Sequence, residues 1–166
     1  MKSGPLITYR RKPASLDASE LESFAEVLRA QVARGREFHC RIANDAELRA
    51  LNAQFRAKDY PADVLSFPHR PLPYGRVSAT IDFPRRDRKG ADDVPLGDIA
   101  ISIDRVRAQA REWGHSVDAE LRILLLHGVL HLTGLDHETD SGRMKRAELR
   151  WRKKLGLPVG LIERVA

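Results

Sequence analysis

Three of the chain's six histidines fall within eleven residues, in the run His127-Gly128-Val129-Leu130-His131-Leu132-Thr133-Gly134-Leu135-Asp136-His137. An offset of four along an α-helix is about 40° of rotation and ~6 Å of rise, so His127 and His131 leave the same face. Gly134 follows three residues on, where a glycine can stop a helix and reverse the chain through a left-handed conformation. His137 comes just after that turn. Two imidazoles from a helix and a third from the chain beyond it can bind Zn²⁺ tetrahedrally and leave the fourth position to water, as catalytic zinc sites do. The expectation is one zinc ion per chain, held by His127, His131 and His137.

The spacing equals that of the metzincin protease motif H-E-x-x-H-x-x-G-x-x-H, with one difference. Gly128 stands where the motif has its glutamate, the base that takes a proton from the zinc-bound water. Glycine cannot do this, so the metal-binding pattern is present without the peptidase base. Ile123, Leu124, Leu125, Leu126, Val129, Leu130 and Leu132 flank or interleave the histidines and predict a buried helix. His39, His69 and His115 have no ligand spacing and read as structural or surface residues.

Apolar periodicity and capping residues predict the elements that must position the histidines. Leu6 to Tyr9 reads as a short strand. A helix starts after Asp17, with Leu21, Phe24, Leu28 and Val32 at helical spacing and Gly35 past its end. Phe38 to Ile42 alternates as a strand, and Asn44 or Asp45 caps a second helix carrying Leu48, Leu51 and Phe55 inward. Val64 to Phe67 is a strand that Pro68 ends, Val77 to Phe83 an extra strand, and Pro84 to Pro95 a charged loop. Ile99 to Ile101 is the next strand. Asp104 caps a helix that reaches Trp113, with Gly114 at its end. The histidine helix runs from about Val117 to Thr133, and a last helix from near Asp140 or Ser141 to Leu155. Strands interleaved with helices predict an α+β layer fold, helices on a mostly four-stranded sheet, in one domain spanning 1–166.

The single Cys40 allows no internal disulfide and suits a reducing cytosol. The N-terminus lacks an apolar stretch of signal-peptide length, and no run is long enough to span a bilayer, so a cytoplasmic location without membrane contact is expected. A net charge of +6 favours polyanions. Seven basic residues against one acid, Glu148, lie between Arg143 and Lys154, and Arg85, Arg86, Arg88 and Lys89 form a second cluster. Each cluster alone reads as a solvated face or loop; two clusters beside a hydrolytic metal site favour phosphate contact.

The stretch Leu126 to His137 resembles the signature of the YbeY family of bacterial rRNA-maturation endoribonucleases. Three further blocks follow the same resemblance: Asn52, Arg56 and Asp59 with the run Asp63-Val64-Leu65-Ser66-Phe67-Pro68; the run Leu96-Gly97-Asp98-Ile99-Ala100-Ile101-Ser102; and Met144 with Glu148. Ala62 departs from the usual threonine, and His69 to Pro95 follows no pattern of the family. The resemblance implies a zinc-dependent, single-strand-specific endoribonuclease. It would act in small-subunit rRNA 3′-end maturation and ribosome quality control, with ribosomal RNA and the small subunit as partners. It also implies a catalytic role for Arg56, whose guanidinium answers the charge that builds on phosphate oxygens during cleavage. Without the resemblance, Arg56 is a salt-bridge partner of Asp59 or Asp63. Asp136 either orients a ligand ring or caps the turn. Two other readings stand beside this one: a ribosome-associated RNA-binding module with a structural zinc, and a metzincin-like metalloprotease, which Gly128 disfavours. No residue presents itself as a general base.

Overall fold

The structure, a computed structural model, describes residues 4–69, 95–135 and 141–158. Its elements are β1 (Ile7–Tyr9), α1 (Ala18–Gln31), β2 (Phe38–Ala43), α2 (Asp45–Arg56), β3 (Val64–Pro68), β4 (Gly97–Ser102), α3 (Ile103–Trp113), α4 (Val117–Leu132) and α5 (Arg143–Leu155). The strands form a four-stranded sheet in the order β1-β2-β4-β3. β1, β2 and β4 are parallel, and β3 runs antiparallel on the outer side of β4. This is the expected α+β architecture. The extra strand placed at Val77 to Phe83 lies outside the described residues, as does the charged loop up to Val94.

Alternation along the strands divides the core. Phe38, Cys40 and Ile42 of β2 and Ile99 and Ile101 of β4 join α1, α3, α4 and α5 in the larger cluster. Ala43, Ala100, Leu65 and Phe67 turn to the other face, where Leu48 of α2 covers them. Every residue of β4 is buried, as expected of a strand covered on both faces. Ten of the sixteen residues of α4 are buried, which makes it the central helix of the larger layer.

Most helix ends follow local chemistry. Asp17 caps α1 through the amides of Ser19 and Glu20, Asn44 caps α2 through Glu47, and Ser116 caps α4 through Ala119. Two boundaries differ from expectation. α3 is capped by Ser102, whose hydroxyl accepts from the Arg105 amide, while Asp104 instead accepts from the Asp45 amide at the start of α2. α5 begins at Arg143, behind Ser141 and Gly142 in left-handed conformations that take the chain out of helical geometry. The last strand before α3 is longer than its apolar centre, because Gly97 and Asp98 pair with β2 and β3 as well.

Candidate metal centre

Because α4 lies against the sheet along most of its length, its side chains have fixed outlets. Gly128 faces the sheet: a Cβ placed on it would stand 3.0 Å from Ile99 Cγ2 and 3.1 Å from Cδ1. The glycine is what lets the helix settle onto β4 here, and Ser66 of β3 donates to the Gly128 carbonyl at 3.2 Å. The position where a metzincin keeps its glutamate therefore points into a dry helix–sheet contact.

His127 and His131 leave α4 together, their rings 4.8 Å apart between centroids at 76°. His127 Nδ1 lies 3.1 Å from a carboxylate oxygen of Glu148 on α5. Neutral imidazole carries one N–H, and a carboxylate only accepts, so this bond places the proton on Nδ1 and the lone pair on Nε2. That is the form in which histidine ligates a metal, with the other ring nitrogen held by a carboxylate. Burial raises the pKa of Glu148, but the hydrogen bond to His127 and the charge and hydrogen bond of Arg152 oppose it, and the carboxyl is held below its ordinary value. The helix then ends as the sequence suggests: Thr133 caps it, Gly134 adopts φ 104°, and its amide donates to the His131 carbonyl. Asp136 and His137 lie just beyond, outside the described residues. Among the described residues no group of three metal-ligating side chains comes together. His127 and His131, with the His127 ring held through Nδ1, fit the donor chemistry of zinc.

Arg56 is exposed at the end of α2 and, among the described residues, makes no ion pair with either aspartate considered for it. Asp59 is taken by Arg49, at 2.8 and 3.1 Å, and Asp63 accepts from Gln109 at 3.1 Å and from the Val64 amide. Its neighbour Phe55 packs edge-on against Phe67 of β3, ring centroids 5.4 Å apart. Ser66, the residue before Phe67, faces the opposite side and holds the Gly128 carbonyl. The Arg56 end of α2 and the histidine stretch of α4 thus lie on opposite faces of the sheet, beside Phe67 and Ser66 of β3 respectively.

Of the two readings open for His69, structural or surface, the structure has the structural one: its Nε2 lies 3.0 Å from Asp98, and both side chains are nearly buried. Sequence spacing could not reveal a pair separated by 29 residues across a segment without pattern. Arg152 departs from expectation: counted with the basic cluster, it is 1% exposed and sits 3.5 Å from Glu148. The other six cations of α5 are exposed. Arg143, Arg146, Arg150, Lys153 and Lys154 fall within about 100° of helical arc. Met144, Ala147, Trp151 and Leu155 on the other side dock the helix on the core. The Arg85–Lys89 cluster lies outside the described residues.

Comparison with known proteins places the chain in a family. The family model described as Endoribonuclease YbeY matches residues 7–156. The chain belongs to the YbeY family. It is 51% identical over 162 residues to an Endoribonuclease YbeY of Solibacter usitatus, covering 98% of this chain and 95% of that one. Its identity to the protein of the same name from Koribacter versatilis is 40% over 159 residues, 96% and 91% of the two chains. The solution structure of TM1509 from Thermotoga maritima shares the fold, with a TM-score of 0.50 at 24% identity over 96% of each chain.

Proposed function

We propose that the chain is a zinc-dependent endoribonuclease that cleaves single-stranded segments of ribosomal RNA, acting in small-subunit 3′-end maturation and ribosome quality control in the cytoplasm. Its relatives are called endoribonucleases, which supports the reaction class. The observation that carries the reading is the pair of imidazoles, His127 and His131, leaving one side of α4 together, with His127 Nδ1 held by Glu148; Arg56 is exposed at the end of α2. Cleavage of a phosphodiester builds negative charge on its non-bridging oxygens, and an exposed guanidinium whose neighbouring aspartates are already engaged is suited to receive it. Lys58 and the 53%-exposed Tyr60 follow Arg56 closely and add a second cation and an aromatic face. The α5 stripe extends the positive surface, and no helix among the described residues is long and apolar enough to cross a membrane.

His127 and His131, with His137 as the third donor, would hold the zinc. When bound there, zinc supplies a Lewis acid and lowers the pKa of water towards ~7. The chain's own contribution is orientation: Glu148 keeps the His127 lone pair turned outward, and Arg56 binds the scissile phosphate. Gly128 leaves no carboxylate at the protease position, and its packing on Ile99 leaves no room for one, which argues against peptide hydrolysis. The test is metal analysis of the purified protein followed by RNA-cleavage assays on the metal-free and zinc-restored forms. One equivalent of zinc and cleavage that returns with it are expected. Full cleavage in the metal-free form, or zinc retained after His131→Ala, would overturn the proposal.

A further inference from the structure

We propose that Glu148 is the positioning residue of the metal centre, fixing the tautomer and ring direction of His127, and that Arg152 holds Glu148 in place from the next turn of α5. The inference rests on His127 being a ligand and goes beyond it by assigning a function to the inner face of α5. Glu148 is 7% exposed and Arg152 1%, so two charges have been taken almost wholly out of water. Such burial is costly unless each charge is paired. Here the partners form a continuous line. Arg152 Nη1 donates to the Pro158 carbonyl at 3.4 Å, its Nη2 lies 3.5 Å from Glu148 Oε1, and that same oxygen is 3.1 Å from His127 Nδ1.

The spacing explains how one helix does this. Residues 148 and 152 are one turn apart and share a face of α5, the i,i+4 relation in which a glutamate N-terminal to an arginine pairs well. Arg152 prevents the carboxylate from swinging away from α4. The carboxylate in turn admits only the His127 tautomer with hydrogen on Nδ1. A metal ligand oriented in this way has its lone pair set before the ion arrives. Removing the group that orients a ligand typically lowers metal affinity about 10- to 100-fold.

A purely structural tie between α4 and α5 would show the same distances, so the test must separate the two. The double variant Glu148→Leu/Arg152→Met removes both charges while keeping apolar volume, a replacement that buried ion pairs often tolerate without loss of stability. Zn²⁺ affinity is measured by chelator competition, and the His127 tautomer by ¹⁵N shifts of the metal-free protein. We expect the double variant to fold, to bind Zn²⁺ about 10- to 100-fold more weakly, and to lose the preference for the Nδ1–H tautomer. Glu148→Gln, which keeps an acceptor oxygen but no charge, should fall between it and the unaltered protein. Unaltered affinity and tautomer in a folded double variant would overturn the assignment and leave the His127 site standing. Unaltered Zn²⁺ affinity in His127→Ala would overturn the metal centre itself.

Discussion

Replacing Gly128 with alanine tests the packing that sets α4 on the sheet, and the sign of the effect is informative. At an open helical position the change should stabilise, because alanine is better than glycine by about 1 kcal/mol in a helix interior. Gly128 is not open. The new methyl would meet Ile99 Cγ2 at 3.0 Å, Cδ1 at 3.1 Å and Cγ1 at 3.3 Å. Ile99 is fully buried in β4, which pairs with β2 on one side and β3 on the other, so it has nowhere to retreat without moving the strand. Overpacking of this kind costs about 1–3 kcal/mol. Set against the propensity gain, the net expectation for Gly128→Ala is a destabilisation of about 0–2 kcal/mol. Urea unfolding in the presence of chelator measures it, with an unchanged m-value as the check that the unfolding reaction is the same. Ile99→Ala supplies the cycle: alone it costs about 2–5 kcal/mol, but it removes the atoms that clash. The double variant should therefore be more stable than the sum of the two single effects, by about 1–3 kcal/mol. A stabilised Gly128→Ala, with additive behaviour in the cycle, would refute the view that close approach is why glycine occupies this position.

Arg56→Ala should abolish most RNA cleavage while changing stability by no more than about 0.5 kcal/mol, as for an exposed surface residue; a large fall in Tm would mark it as structural. Neutralising Arg146, Arg150, Lys153 and Lys154 together should flatten the slope of log RNA affinity against log salt, by about 0.7 for every single-strand phosphate that the helix then no longer neutralises. An unchanged slope would place the RNA elsewhere. Cys40 is fully buried, and burial with the nearby Glu22 charge pushes its thiol well above the ordinary range. It should therefore stay neutral and resist iodoacetamide in the native protein at about pH 8, yet react once urea unfolds the chain; rapid native labelling would contradict this.

The parts of the fold that are legible in the sequence are those governed by neighbours a few residues apart. Asp17, Asn44 and Ser116 sit where a short polar side chain can reach amides two or three residues on, and the apolar period beyond each is plain. Asp104 shows the limit. It has the right chemistry for a cap, but Ser102 is nearer the start of α3, and the Asp104 carboxylate is claimed by the Asp45 amide 59 residues away. Sheet order has the same character, since nothing local tells β3 to lie antiparallel outside β4. Arg152 is hidden for a different reason. Its partner Glu148 is four residues back and visible as an i,i+4 pair, but in a run of seven cations such a pair looks like one more solvated ion pair.

The candidate site divides along the same line. One helix period fixes His127 beside His131, so their pairing can be read directly, and Gly134 marks the helix end. Arg56 can be tied to them only by resemblance, because the connection runs through a strand seen from both sides. Phe67 meets Phe55 on one face, and Ser66 meets the Gly128 carbonyl on the other. A strand's alternation is what makes this possible: consecutive residues point to opposite layers, so two adjacent residues of β3 register α2 against α4 although the helices lie on different faces. The arginine proposed for phosphate and the histidines proposed for metal are thereby referred to one short piece of backbone. A change in the α4–sheet distance would be felt at the histidines that α4 carries. Gly128, which carries no reactive group, then belongs to the chemistry of the site as much as to its packing.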